Sequence, residues 1–342
     1  MPRFPLALGA TIVLVACATA SSSEKSMASE NHTSTWCIGH FLVDLPTGAR
    51  VKVDGSYYNV EVEQQGQAKD FSAIEGSLRK RAAELDAKKT QVPDSPLARK
   101  MKVDGYLSVA PTRLLGFTAT SEEAVLAYHS TEGSGAFIAE LHKLYGNEHY
   151  RFQEKHSGAG RYPAVRDALI QTAGRFKPLR PGEVPTSSGF CVGEGLFVEE
   201  GRQDVGGRAT LYATFPQHPE VKFSVDLSGL HKADNEPSLA DRVGGELAHL
   251  SSQTQGLNTI RRGKESYGGQ LGYEIDISAP RGGGGRIYKY FWSAQGVPKD
   301  PLRPFIEAQL ITDESAKATL NDEQIDDLWK SMVGSLRLRS ER

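Results

Sequence analysis

The residues best able to do covalent chemistry in this 342-residue chain are its three cysteines, Cys17, Cys37 and Cys191. The first stands in a special place. Met1-Pro2-Arg3 carries one cation and is followed by an apolar run from Phe4 to Ala16, too short to cross a bilayer as a helix and of the size of a signal-peptide core. The run ends in Leu14-Val15-Ala16-Cys17, small residues before a thiol that can be acylated, after which the peptide bond ahead of it is cut. This reads as a lipobox, so residues 1–16 are expected to be a signal peptide and Cys17 a lipidation site. About three acyl chains, each buried methylene adding ~0.8 kcal/mol, would make such an anchor effectively permanent. Alanine at position 18, in place of the aspartate that favours inner-membrane retention, points to the inner leaflet of an outer membrane, facing the periplasm. Residues 17–35, rich in Ser, Ala, Thr and Glu, read as a flexible tether.

With Cys17 lipidated, Cys37 and Cys191 remain, and two thiols in an oxidising compartment favour one disulfide. Such a bond needs their Cα atoms within about 7 Å; the alternative is two buried thiols, each packed in its own lobe. Other chemistry is sparse. The sequence has no G-x-S-x-G elbow, no H-E-x-x-H and no C-x-x-C. Gly256 and Gly263-Lys264 superficially resemble a phosphate loop, but the glycines are seven apart, and Glu265 occupies the place of the magnesium-binding hydroxyl. Arg281-Gly282-Gly283-Gly284-Gly285-Arg286 could cradle an anion, yet between two strand patterns four glycines read more simply as a hairpin. The histidines, His142, His149 and His156 among them, are spaced unlike a metal triad and read as solvated surface residues. No cofactor, metal or small-molecule substrate is expected.

Charge narrows the partners. Between Cys37 and Gly182 there are 20 basic and 17 acidic residues, and between Glu183 and Arg342 there are 18 and 23. Neither half is basic enough for nucleic acid, and the asymmetry suffices only to orient a partner.

The elements that must position these residues come in two similar sets. Trp36-Cys37-Ile38-Gly39 opens the first half and Phe190-Cys191-Val192-Gly193 the second. Alternating strand patterns follow, Tyr58, Val60, Val62 in one and Val221, Phe223, Val225, Leu227 in the other. Each half then offers a helix: Asp70 caps the stripe Phe71, Ile74, Leu78, Ala82, Leu85, and Ser238 with Asp241 precedes Leu239, Val243, Leu247, Leu250. Leu115-Gly116-Phe117 and Leu271-Gly272-Tyr273 open two antiparallel meanders. A last helix closes each, Pro163 to Phe176 with Val165, Leu169, Ile170 and Ala173, and Asp322 to Leu336 with Ile325, Leu328, Trp329 and Met332. A short basic strand ends each copy. The fold expected is α+β: two related domains, 36–182 and 183–342, each an antiparallel sheet with helices on one face, joined by the Pro- and Gly-containing linker Arg180 to Gly189.

Cys37-Ile38-Gly39-His40-Phe41-Leu42-Val43-Asp44-Leu45-Pro46 is similar to the opening C-x-G-aromatic-x-V-D-L-P stretch of the Tli group of class four, periplasmic immunity lipoproteins that neutralise type VI secretion lipase effectors. Gly189-Phe190-Cys191-Val192-Gly193 resembles the opening of that family's second domain. His40 departs from the pattern as an insertion before the aromatic. The resemblance implies an inhibitor without enzymatic activity, whose two lobes clasp a cognate lipase effector like a claw. Arg281, Arg286, Lys299 and Arg303, on two polar loops, are the residues expected to meet it. The competing readings are a structural or scaffolding envelope lipoprotein and a hydrolase whose Asp and His residues converge only on folding.

Overall fold

The computed structural model describes residues 33–87, 114–129, 136–157, 159–199, 206–232, 239–241, 255–282 and 284–339. The lipobox, Cys17 and the tether up to His32 lie outside them. So does the second-half helix read from Leu239 to Leu250, except that 239–241 are helical. The first strand begins at Thr33, within the stretch read as tether.

The described chain from Thr33 onward forms one compact unit. In the first half run β1 (Thr33–Ile38), β2 (Phe41–Pro46), β3 (Arg50–Tyr57), β4 (Val60–Gln67), helix α1 (Phe71–Ala87), β5 (Leu114–Ala119), β6 (Glu123–His129), β7 (Ala136–Tyr145), β8 (Glu148–Ser157), helix α2 (Tyr162–Gly174) and β9 (Phe176–Pro178). The second half runs β10 (Gly189–Val192), β11 (Gly195–Val198), β12 (Gly207–Phe215), β13 (His218–Ser228), β14 (Asn258–Tyr267), β15 (Gln270–Pro280), β16 (Arg286–Ala294), β17 (Phe305–Thr312), helix α3 (Asp322–Gly334) and β18 (Arg337–Leu338).

Twelve strands form one continuous antiparallel sheet, in the order β14-β15-β16-β17-β13-β12-β3-β4-β8-β7-β6-β5. Read outward from the β12–β3 junction, the order is β3, β4, β8, β7, β6, β5 on one side and β12, β13, β17, β16, β15, β14 on the other. The repeat legible in the residues is thus a repeat of topology. Two small sheets lie beside the large one, and they are exchanged. The first half's hairpin β1–β2 takes its third strand from the second half's tail, β18, while the second half's hairpin β10–β11 takes β9 from the first.

Local chemistry explains the helices. Asp70 accepts from the Ser72 amide at 3.1 Å and starts α1. Pro163 in the first turn of α2 supplies a fixed φ where no amide partner is needed. Asn321 and Gln324 form a capping box at α3, whose buried face is Ile325, Trp329, Met332 and Val333.

The helices do not share a face, contrary to the sequence expectation. Phe71, Ile74 and Leu78 of α1 pack on Ala124, Leu126 and Tyr128 of β6, while Val165 and Leu169 of α2 share a core with Val125 and Ala127 of the same strand. Successive β6 side chains point to opposite faces, so α1 and α2 sandwich the first half's sheet. The α2 side holds the main core. There Tyr57 stacks on Phe197 at 4.7 Å, joining the two halves, and Trp329 meets Tyr290 at 5.8 Å.

Candidate functional site

Several chain segments meet at the centre of the molecule. β1 and β10 touch through Gly39 and Cys191, which exchange backbone hydrogen bonds of 2.8 and 2.9 Å. Gly39 has φ +53, and an added Cβ there would sit 3.0 Å from Leu227 and 3.2 Å from Phe190, so glycine is what lets the two strands approach. Cys37 and Cys191 are joined by a disulfide with Cα atoms 5.8 Å apart. The Arg339 guanidinium, arriving with the C-terminal tail, donates from Nη1 to both sulfurs at 3.5 and 3.4 Å and from Nη2 to the Gly189 carbonyl. Arg337 holds Asp44 with two contacts of 2.8 and 3.0 Å. Burial pushes the Asp44 carboxyl up, but hydrogen bonds from Arg337 and Thr35 outweigh it and leave the group below its ordinary value.

In front of this junction the sheet is split. β3 and β4 pair only at Tyr57↔Val60 and Ser56↔Glu61, next to the Tyr58-Asn59 turn with φ 52 and 66. Beyond that, β3 follows β12 and β4 follows β8. A cavity of about 230 Å³ lies behind the split, lined by Val51, Val53, Val62, the disulfide and the linker from Leu179 to Glu183. A groove of about 520 Å³ lies in front, lined by Lys52, Asp54, Glu61, Glu63, Arg151 and Tyr212, among others. Tyr212 is 50% exposed, unusual for an aromatic at the middle of a sheet.

The four cations singled out in the sequence do not converge. Arg281 donates to the Asp313 carbonyl at 2.7 Å and ties its hairpin to the end of β17, while Arg286 donates to Ser278 Oγ at 2.9 Å and the Ser278 carbonyl at 3.0 Å within the hairpin. Lys299 (φ 61) and Arg303 lie in the loop after β16, where Arg303 pairs with Asp300 at 2.6 Å. The nine residues of β16 separate the two loops by roughly 30 Å at about 3.3 Å per residue.

The histidines also depart from expectation. His142 is buried, its Nδ1 3.0 Å from His149 Nε2, and His40 is buried with Nε2 2.9 Å from Glu199. Among the described residues no group of three or more His, Cys, Asp or Glu side chains is placed to hold a metal ion.

Residues 183–341 match the sequence model of the family described as Tle cognate immunity protein 4 C-terminal domain. Among curated proteins none matches the sequence. Three solved structures are similar. The apo form of TplEi, an immunity protein of the type VI secretion system of Pseudomonas aeruginosa, shares 22% identity over 91% of this chain and 98% of its own, with a TM-score of 0.72. The crystal structure of the Tle4–Tli4 complex gives 22%, 90%, 97% and 0.71 on the same measures. TplEi complexed with an "L" peptide gives 22%, 90%, 98% and 0.64. The Cys191 segment lies within the residues that match the Tle cognate immunity protein 4 C-terminal domain family, and the described fold, which includes the Cys37 segment, is similar to that of solved type VI immunity proteins.

Proposed function

We propose that this protein is an immunity protein that binds and inhibits a type VI secretion phospholipase effector in the periplasm, held at the membrane by lipid on Cys17. The observation that carries the reading is the match of residues 183–341 to the Tle-cognate immunity family, on a fold shared with a protein solved in complex with its effector. The repeats 36–182 and 183–342 act as the two lobes of a clasp, closed at the rear by the Cys37–Cys191 bond and the exchanged strands. Such an inhibitor works by surface fit and needs no reactive centre of its own. Tethering confines it to the layer that a lipase attacks, raising effective concentration without a new contact. An interface of about 1,600 Å² is the size that tight, specific inhibition calls for.

The test is protection in cells. A type VI phospholipase effector encoded in the same genome, directed to the periplasm, is expected to kill its host, and co-expression of this protein to restore growth. Restored growth with the protein absent, or death with it present, defeats the reading. Cys17→Ser is expected to move the protein from the membrane fraction to the soluble periplasm.

A further inference from the structure

We propose that the split between β3 and β4 receives an extended segment of the partner protein, which joins the sheet by backbone hydrogen bonds on both sides. This rests on the effector-binding reading and names where and how the partner is gripped.

The first observation is the pairing pattern. β3 keeps eight register pairs with β12, yet only two with β4. In an antiparallel ladder alternate residues direct both peptide groups to the same side. The Tyr58 amide donates to the Gly206 carbonyl at 2.9 Å, on the β12 side, so Ser56 and Asp54 also face β12, while Gly55 and Val53 face the split. On β4 the closing residue Val60 faces β3, which directs Val62, and Gln64 before the bulge, into the same gap. Two strand edges with donors and acceptors thus confront each other without cross-pairing, the arrangement an added strand completes.

The second observation is the character of the two faces. Behind the split Val51, Val53, Val62 and the disulfide line the cavity, together with the polar Gln64, Arg180, Glu183 and Glu194. In front it is Lys52, Asp54, Glu63 and Arg151, paired as Lys52–Asp54 at 2.8 Å and Arg151–Glu63 at 2.5 Å. An extended chain presents successive side chains to opposite faces. The occupant is therefore an extended segment of the partner whose rear-facing side chains are small, to enter a cavity of about 230 Å³, and whose front-facing ones are charged or polar, to meet Lys52, Asp54, Glu63 and Arg151. Tyr212, beside Lys52 in register, is placed to pack on its front-facing side chains.

Hydrogen exchange on the full-length protein, with and without the phospholipase effector from which it protects cells, tests this. The amides of Val53, Gly55, Val62 and Gln64 are expected to exchange at least tenfold more slowly in the complex. Val53→Pro, which deletes an amide facing the split and none facing β12, is expected to weaken binding at least tenfold, whereas Val53→Ala is expected to change it less than threefold. Unchanged amides in a complex that does form, or Val53→Pro binding as tightly as wild type, overturns the proposal while leaving effector binding intact. Failure of the wild-type protein to bind the lipase overturns the functional reading and the proposal with it.

Discussion

Cys37 and Cys191 are separated by 154 residues, yet their Cα atoms lie 5.8 Å apart, and the bond between them ties the opening strand of one repeat to that of the other. Closing so long a loop removes disorder from the unfolded chain, worth about 5 kcal/mol as an upper bound in the loop-entropy model. Cys37→Ser with Cys191→Ser is expected to lower the denaturant midpoint markedly. An unchanged midpoint would mean that the hydrogen-bonded Gly39–Cys191 bridge and the exchanged strands hold the junction alone.

Gly55 (φ +146) packs where an added Cβ would lie 2.1 Å from the Arg208 carbonyl across the β3–β12 junction. Gly55→Ala is expected to destabilise by at least about 1–3 kcal/mol, the scale of a strained backbone position, and urea titration measures it. The same change at Gly48, where an added Cβ meets nothing within 4 Å, is expected to cost less.

Glu274 and Asp276 are both fully buried, and Arg261 Nη1 reaches each at 2.9 Å. The Trp329 indole donates to Glu274 at 2.7 Å, and Arg261 Nη2 bonds Asp326 at 2.8 Å. Arg261→Met would leave the carboxyls uncompensated and is expected to cost about 3–5 kcal/mol. Burial, and then the adjacent Glu274 charge, push Asp276 from 3.8 up to about 8. A raised acid keeps its proton in the folded chain, so its contribution is complete below pH 3.8 and is lost as pH rises through 8. Asp276→Asn is expected to flatten stability across that window; an unaltered pH profile would contradict the assignment.

The first half loses stability in acid. Burial, with the charge of His142, lowers His149 from 6.5 to about 4, so its contribution is present above pH 6.5 and lost as pH falls through 4. Burial alone would raise Glu140, but the His142 ring 3.6 Å away, the Tyr128 hydrogen bond of 2.7 Å and the charge of Arg81 hold it at about 2, against an ordinary 4.5. Its share is present above pH 4.5 and fades toward 2. His149→Gln is expected to remove the upper part of this acid slope, leaving the Glu140 part in place.

The repeat and its helices were legible because apolar residues recur at the helical and strand periods: Phe71, Ile74 and Leu78 do face a sheet, and Ile325, Trp329 and Met332 are core. The same alternation misleads on β15. There Ile277 is half-exposed, while Glu274 and Asp276 lie in the interior because Arg261, brought across by the β14 bulge, compensates them. Nothing local distinguishes a buried acid with a distant arginine from a solvated one. The exchange of β9 and β18, the opposed faces of α1 and α2, and the distant pairings with β12 and β8 that draw the consecutive strands β3 and β4 apart are not encoded by short-range periodicity. Gly55 inside β3 and Gly66 at the β4 bulge are local signs of irregularity near the split.

The most direct test of the central claim is titration of the phospholipase effector from which this protein protects cells with the purified protein while lipid hydrolysis is followed. The account predicts that activity falls linearly to near zero at about one inhibitor per enzyme. Undiminished hydrolysis at saturating inhibitor would contradict it.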